Sequence, residues 1–132
     1  MLDRDILLIV TNNDKVIKKY QEFYDIDYID TESMYDVLIK VRDFIHKGYN
    51  LLTHPMSGSL KSNQTPYKSI LIKKNNSTKF EDLELIESAI DNYNKFIKNR
   101  KLTSWPKNIK EDFKTVDLSL IESCFDKNLP LN

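Results

Sequence analysis

His54 stands just ahead of Ser57, Gly58, Ser59 and Lys61 in the chain. An imidazole with an ordinary pKa near neutrality, close to two hydroxyls, is a candidate general base for a nucleophilic serine. The same segment also suits an anion. Glycine lets the backbone approach a ligand, consecutive N–H groups around it can form a concavity, and lysine adds charge. Asn12, Asn13, Thr53, Asn63, Thr65 and Lys68 offer further donors for such a site, and both readings stay open. No acid lies nearby to orient His54, so a third catalytic member would come from elsewhere, for example Asp14 or Asp30. Arg42, Asp43 and His46 form a second cluster. Asp43 and His46 are three apart, a spacing that can chelate on a helix. A lone pair without further histidine or cysteine makes a poor metal site, and cations at a helix C-terminus are favoured by the helix dipole alone. Neither a metal nor a cofactor is expected.

The charge pattern around these residues points to an anion. The 36 positions from Phe44 to Lys79 hold no Asp or Glu, although 20 of the 132 residues are acidic. The same window contains Lys47, Lys61, Lys68, Lys73, Lys74 and Lys79, both histidines and both glycines. Net charge is zero overall, so the rest of the chain carries an acidic surplus and the field is segregated. A small carboxylate or phosphate fits that field. The chain has neither a phosphate-loop lysine spacing nor a G-x-G-x-x-G run. Without a basic stripe along a helix, duplex nucleic acid is not an expected partner. The apolar run Ile6–Val10 is far shorter than the ~20 residues a membrane helix needs. Asp3-Arg4-Asp5 does not suit a signal peptide, and a soluble, cytoplasmic protein is expected. Cys124 is the only cysteine, which rules out an internal disulfide, and its apolar helical setting suggests a plain buried thiol.

Several elements must position these groups. Asp5–Val10 reads as a strand buried on both faces, followed by the polar turn Thr11-Asn12-Asn13-Asp14. Val16, Ile17, Tyr20 and Phe23 recur at helical spacing, and Ile26, Tyr28 and Ile29 make a second strand. Ser33 with Asp36 resembles an N-cap signature for a helix carrying Met34, Val37, Leu38, Val41, Phe44 and Ile45. Asn50–Thr53 and Ser69–Lys73 read as strands three and four, separated by a long Pro/Ser/Gly-rich segment of the kind that is usually functional or disordered. Thr78-Lys-Phe-Glu81 matches a capping box ahead of a third helix, and a last helix is expected near Asp117 to Asp126. The alternation predicts a single three-layer α/β domain over 1–132. Its four-stranded sheet is expected to be mostly parallel and flanked by helices, with a helical C-terminal extension over about 101–132. Ligands of such sheets sit beyond the carboxyl ends of the strands, which places Asn12, Asn13, Thr53 and His54 at one edge and His46 at the other. One internal echo stands out. Asp82-Leu-x-Leu-Ile-Glu-Ser-x-x-Asp91 recurs, offset by 35 positions, as Asp117-Leu-x-Leu-Ile-Glu-Ser-x-x-Asp126. Two amphipathic helices with the same apolar spacing account for it, and a small duplication or a pair of matched partner-binding faces is the alternative.

Two stretches, Val41-Arg42-Asp43-Phe44-Ile45-His46-Lys47-Gly48 and the run from Leu51 through Thr53-His54-Pro55-Met56-Ser57-Gly58-Ser59 to Ser69, resemble the GrdX-like family. The family pattern has histidine where this chain has Tyr49, proline at Ser62 and glutamate at Gln64. The resemblance implies a cytoplasmic accessory protein encoded with the glycine, sarcosine and betaine reductases of amino-acid-fermenting anaerobes, with reductase components as partners. Taken together, the leading expectation is a non-catalytic protein that binds a small anion or associates with such a complex. An enzyme of acyl or phosphoryl transfer using His54 and an assembly factor docking on a reductase subunit are the alternatives.

Overall fold

The computed structural model describes residues 6–55, 65–98 and 105–127. Its elements run β1 (Leu7–Thr11), α1 (Asp14–Tyr20), β2 (Asp25–Tyr28), α2 (Met34–His46), β3 (Tyr49–Leu51), β4 (Ser69–Lys74), α3 (Phe80–Lys98) and α4 (Lys107–Lys127). Each strand of the apolar sort has side chains alternating between two covered faces. Val10, Ile70 and Ile72 pack with Val37, Leu38, Val41 and Ile45 of α2 and Ile86, Ala89 and Ile90 of α3. Leu7, Ile9 and Leu71 meet Val16 and Tyr20 of α1 and Ile121 of α4 on the opposite face. Helices therefore cover both sides of the sheet.

The sheet order is β2-β1-β4-β3. β1 pairs parallel with β2, whereas β4 pairs antiparallel with both β1 and β3. The sheet is thus mixed, with two of its three pairings antiparallel, and corrects the mostly parallel expectation. The reason lies in the connections. β1, β2 and β3 are joined through helices, which return the chain to its starting edge, and these three strands share one direction. Among the described residues no helix stands between β3 and β4, and β4 runs the other way and inserts between β1 and β3.

Local signals differ in detail from the sequence patterns. Ser33 does cap α2, but its side chain makes no capping bond. Thr31 instead donates its hydroxyl to Asp36 Oδ2 at 2.7 Å and accepts Ser33 N–H at 3.2 Å. The capping box ahead of α3 is also used differently: Thr78 Oγ1 donates to Ile45 O at 2.9 Å and fastens the start of α3 to the end of α2. β3 ends at Leu51 rather than Thr53. The C-terminal helix starts at Lys107, directly after Pro106, rather than near Asp117, and packs on the sheet beside α1. Gly48, at φ +99°, is required where α2 turns into β3, because a Cβ there would lie 2.9 Å from Asn76 Cα. Among the described residues no helix is long and apolar enough to cross a membrane.

Candidate functional site

The carboxyl ends of β1, β2 and β3 and the start of β4 share one edge of the sheet, and residues 52–55 and 65–68 lie at this edge. β3 stops three residues short of the start of β4, leaving N–H groups on that side of β4 without ladder partners. Side chains take its place. Leu71 N–H donates to Thr53 Oγ1 at 3.1 Å, and Ser69 N–H donates to Asp117 Oδ1 at 3.1 Å. A buried N–H must find an acceptor, and here a hydroxyl and a carboxylate supply the missing strand.

Asp117 is only 6% exposed and is the centre of the edge. Its Oδ2 accepts Ser69 Oγ–H at 2.6 Å and Asn13 Nδ2–H at 3.0 Å. Since Ser69 donates to the carboxylate, Thr11 Oγ1–H donates to Ser69 Oγ at 2.6 Å, and Asn13 N–H donates in turn to Thr11 Oγ1 at 3.0 Å. Three hydroxyl and carboxyl groups thus form one directed chain, in which each bond polarises the next. Burial pushes the Asp117 carboxyl above its ordinary range, although the bonds from Ser69 and Asn13 and the charge of Lys68 act against this. Lys68 is 4% exposed, and burial lowers its ammonium pKa while Asp117 resists the change.

The two asparagines are joints of this edge. Asn12 donates to Thr31 O at 3.1 Å and Pro66 O at 2.7 Å and accepts Lys68 N–H at 2.9 Å. It therefore holds the turns after β1 and β2 and the approach to β4 together. Asn13 caps α1 by accepting Lys15 N–H at 3.1 Å, and its amide also donates to Lys114 O at 2.9 Å in α4. With two donors and at least one acceptor engaged, each asparagine amide points into the protein. Around them, Lys114 pairs with Asp14 and Glu111, each at 3.1 Å, and lies 5.3 Å from the centre of the Tyr67 ring. Partial burial opposes its charge, but Glu111 and Asp14 prevail and push Lys114 up to about 12. Asp14, one candidate for orienting His54, is thus paired with Lys114, and Asp30 lies exposed between β2 and α2.

The remaining predicted residues separate. Thr65 Oγ1 accepts Tyr67 N–H at 3.2 Å and shapes the turn before β4. His54 is exposed at this edge, beyond β3. Ser57, Gly58, Ser59, Lys61 and Asn63 lie outside the described residues. Arg42 reaches across to Glu87 of α3 at 3.3 Å, while Asp43 and His46 are exposed toward the opposite edge, with β3 between His46 and His54. Among the described residues no group of three His, Cys, Asp or Glu side chains could hold a metal ion. Cys124 is half-buried, and burial raises its thiol pKa while Lys68 works the other way.

Thr11, Ser69, Asp117 and Lys114 are the members that sequence reasoning did not assign. The 35-residue echo was the available signal for Asp117. Its two leading aspartates, Asp82 and Asp117, are both buried and each accepts a strand N–H, Leu51 N–H reaching Asp82 Oδ2 at 3.0 Å. Ile86 and Ile121, four residues on in each copy, are buried against opposite faces of the sheet. The echo therefore marks one device used twice: a helix-borne carboxylate that closes an open strand N–H, with an isoleucine one turn later to seat the helix.

Fold and edge together define a small mixed α/β domain, whose polar carboxyl edge is built as an internal joint between the sheet, α1 and α4. The chain belongs to the GrdX-like protein family, matching that family's sequence model over residues 8–126. The match extends from β1 into the last turns of α4. No curated protein and no solved structure matches the chain.

Proposed function

We propose that this chain is a non-catalytic accessory protein of reductive amino-acid metabolism that works by docking on a component of a glycine or betaine reductase. The family's link to that gene cluster supplies the context. The observation that carries the reading is the carboxyl edge itself: Asn12, Asn13, Thr53 and Asp117 direct their polar atoms at the protein's own backbone and side chains. Groups held this way make a rigid frame, and a rigid frame suits presenting a surface. Direct binding of purified reductase components, one at a time, to the purified protein tests the reading. Micromolar or tighter association with one component is the expected result, and no association with any component would overturn it.

A small-anion site is the second reading, favoured by the way the segment from His54 to Thr65 is anchored. Thr53 is tied to Leu71 at one end, and Pro66 and Lys68 are tied to Asn12 at the other. Ser57, Gly58, Ser59, Lys61 and Asn63, with His54 and Lys68, would then bind a carboxylate or phosphate between fixed ends. Thermal unfolding against about 10 mM phosphate, acetyl phosphate, glycine and betaine tests this. A ligand at 100 times its Kd adds about 2.7 kcal/mol, a shift of several degrees. A midpoint unmoved by every anion would remove the reading.

A further inference from the structure

The fold divides the acid-free window between the two ends of the sheet. His54, Pro55 and Lys68 lie at the carboxyl edge, whereas His46, Lys47, Lys73, Lys74 and Lys79 gather at the opposite edge. Three chain segments are sewn together there. Asn75 N–H donates to Gly48 O at 2.9 Å, Tyr49 is the cross-strand neighbour of Lys74, Thr78 Oγ1 donates to Ile45 O at 2.9 Å, and Asn50 Nδ2 donates to Ser77 O at 3.1 Å. His46, Lys47, Lys74 and Lys79 each sit next in sequence to one of these ties, and all four are exposed. Lys73, partly buried, leaves the other face of β4.

Many cations elsewhere are held differently. Lys15, Lys19, Lys40, Arg42, Lys110 and Lys114 are each paired with a carboxylate. None of the five groups at this edge makes an ion pair among the described residues. The nearby Asp82 is turned inward to Leu51 N–H, and Asp43 and Glu81 are the exposed acids closest in sequence. Uncancelled charges on a frame with fixed turns sustain a positive field and meet a partner without first being ordered. The charges are distributed along an edge and onto both faces of β4. That spread matches several carboxylates on a surface better than one small anion, and it does not form the continuous track that a nucleic-acid backbone follows.

We infer that this edge, carrying Lys47, Lys73, Lys74, Lys79 and His46, docks on an acidic surface of a protein partner. The inference rests on the docking reading above and specifies the face that performs it. The test is binding of each purified reductase component to the wild type, to the double variant Lys47→Glu with Lys74→Glu, to Lys79→Glu, and to Lys18→Glu on α1 as a control. Titrations at about 50 mM and about 300 mM salt read the electrostatic part. Wild-type affinity should fall with salt. The double variant should bind roughly 10- to 100-fold more weakly and lose most of the salt dependence, and the control should stay within about two-fold. All four substitutions are on exposed side chains, so unfolding midpoints should remain close to wild type.

If a component binds and the variants bind equally well, the inference is overturned while the docking reading stands. If no component binds the wild type, the docking reading falls and takes the inference with it. Lysine-dependent binding to an anionic phospholipid vesicle or a DNA duplex, in place of a component, would overturn the assignment to a protein surface. Lysine-dependent self-association in sedimentation would overturn it in favour of a second copy of the chain.

Discussion

Replacing Asp117 by alanine gives the most exacting test of the carboxyl edge. The substitution removes the acceptor of three bonds at once: Ser69 N–H, Ser69 Oγ–H and Asn13 Nδ2–H. A buried donor left without an acceptor costs about 1–3 kcal/mol, and the Ser69 hydroxyl can turn elsewhere while water enters the vacated space. Two unrelieved donors therefore set the expected loss at about 2–6 kcal/mol, a large part of the roughly 5–15 kcal/mol that holds a domain of this kind together. Asp82→Ala supplies the internal comparison, because Asp82 accepts one strand N–H, from Leu51, and should lose about half as much, about 1–3 kcal/mol. Trp105, the only tryptophan, packs edge-on to Phe113 of α4 with ring centres 5.1 Å apart. Its fluorescence follows α4, while far-ultraviolet circular dichroism follows the whole chain, and urea titration with both probes yields the two losses. At a slope of about 2 kcal/mol/M, Asp117→Ala should move the midpoint down by about 2 M. A loss below about 1 kcal/mol, or one no greater than that of Asp82→Ala, would refute the reasoning that Asp117 stands in for a missing strand.

Asn12→Ala should cost about 2–4 kcal/mol in the same titration, because it unties three segments at Thr31, Pro66 and Lys68, and a loss within error of zero would contradict this. Gly48→Ala should destabilise by about 1–3 kcal/mol through its positive φ and the close approach to Asn76, with a neutral result arguing against that turn geometry. Burial raises the Asp117 carboxyl in the folded state, so its contribution to stability is complete below about pH 4 and fades as pH rises through the raised folded value. Asp117→Asn cannot titrate and should lack that decline in urea titrations stepped from about pH 3.5 to 7; parallel curves would count against it. Lys68 has the opposite sign: its folded pKa is lowered, so its contribution is present above about pH 10.5 and lost as pH falls through the folded value. Lys68→Met should flatten that part of the profile, measured between about pH 7 and 10.5, and an unchanged slope would refute the burial argument.

The sequence by itself determined the elements and most of the buried residues, because periodicity is a local property. The run Ile6–Val10, the stripe Met34–Ile45 and the spacing of Ile86, Ala89 and Ile90 each report a covered face without reference to the rest of the chain. It also placed Asn12, Asn13, Thr53 and His54 at one edge of the sheet and His46 at the other, since helical crossovers alone set the shared direction of β1, β2 and β3. The tertiary structure decided what a single segment cannot encode. The direction of β4 depends on how the chain travels between Leu51 and Ser69, and it turned a parallel expectation into a mixed sheet. The joint at Asp117 links residues 48 and 104 positions apart, so neither Ser69 nor Asn13 carries a local sign of it. The acid-free window was plain in the composition, but only the sheet divides it between two opposite edges. There the lysines around Gly48 lie together because the β3–β4 pairing brings Tyr49 alongside Lys74.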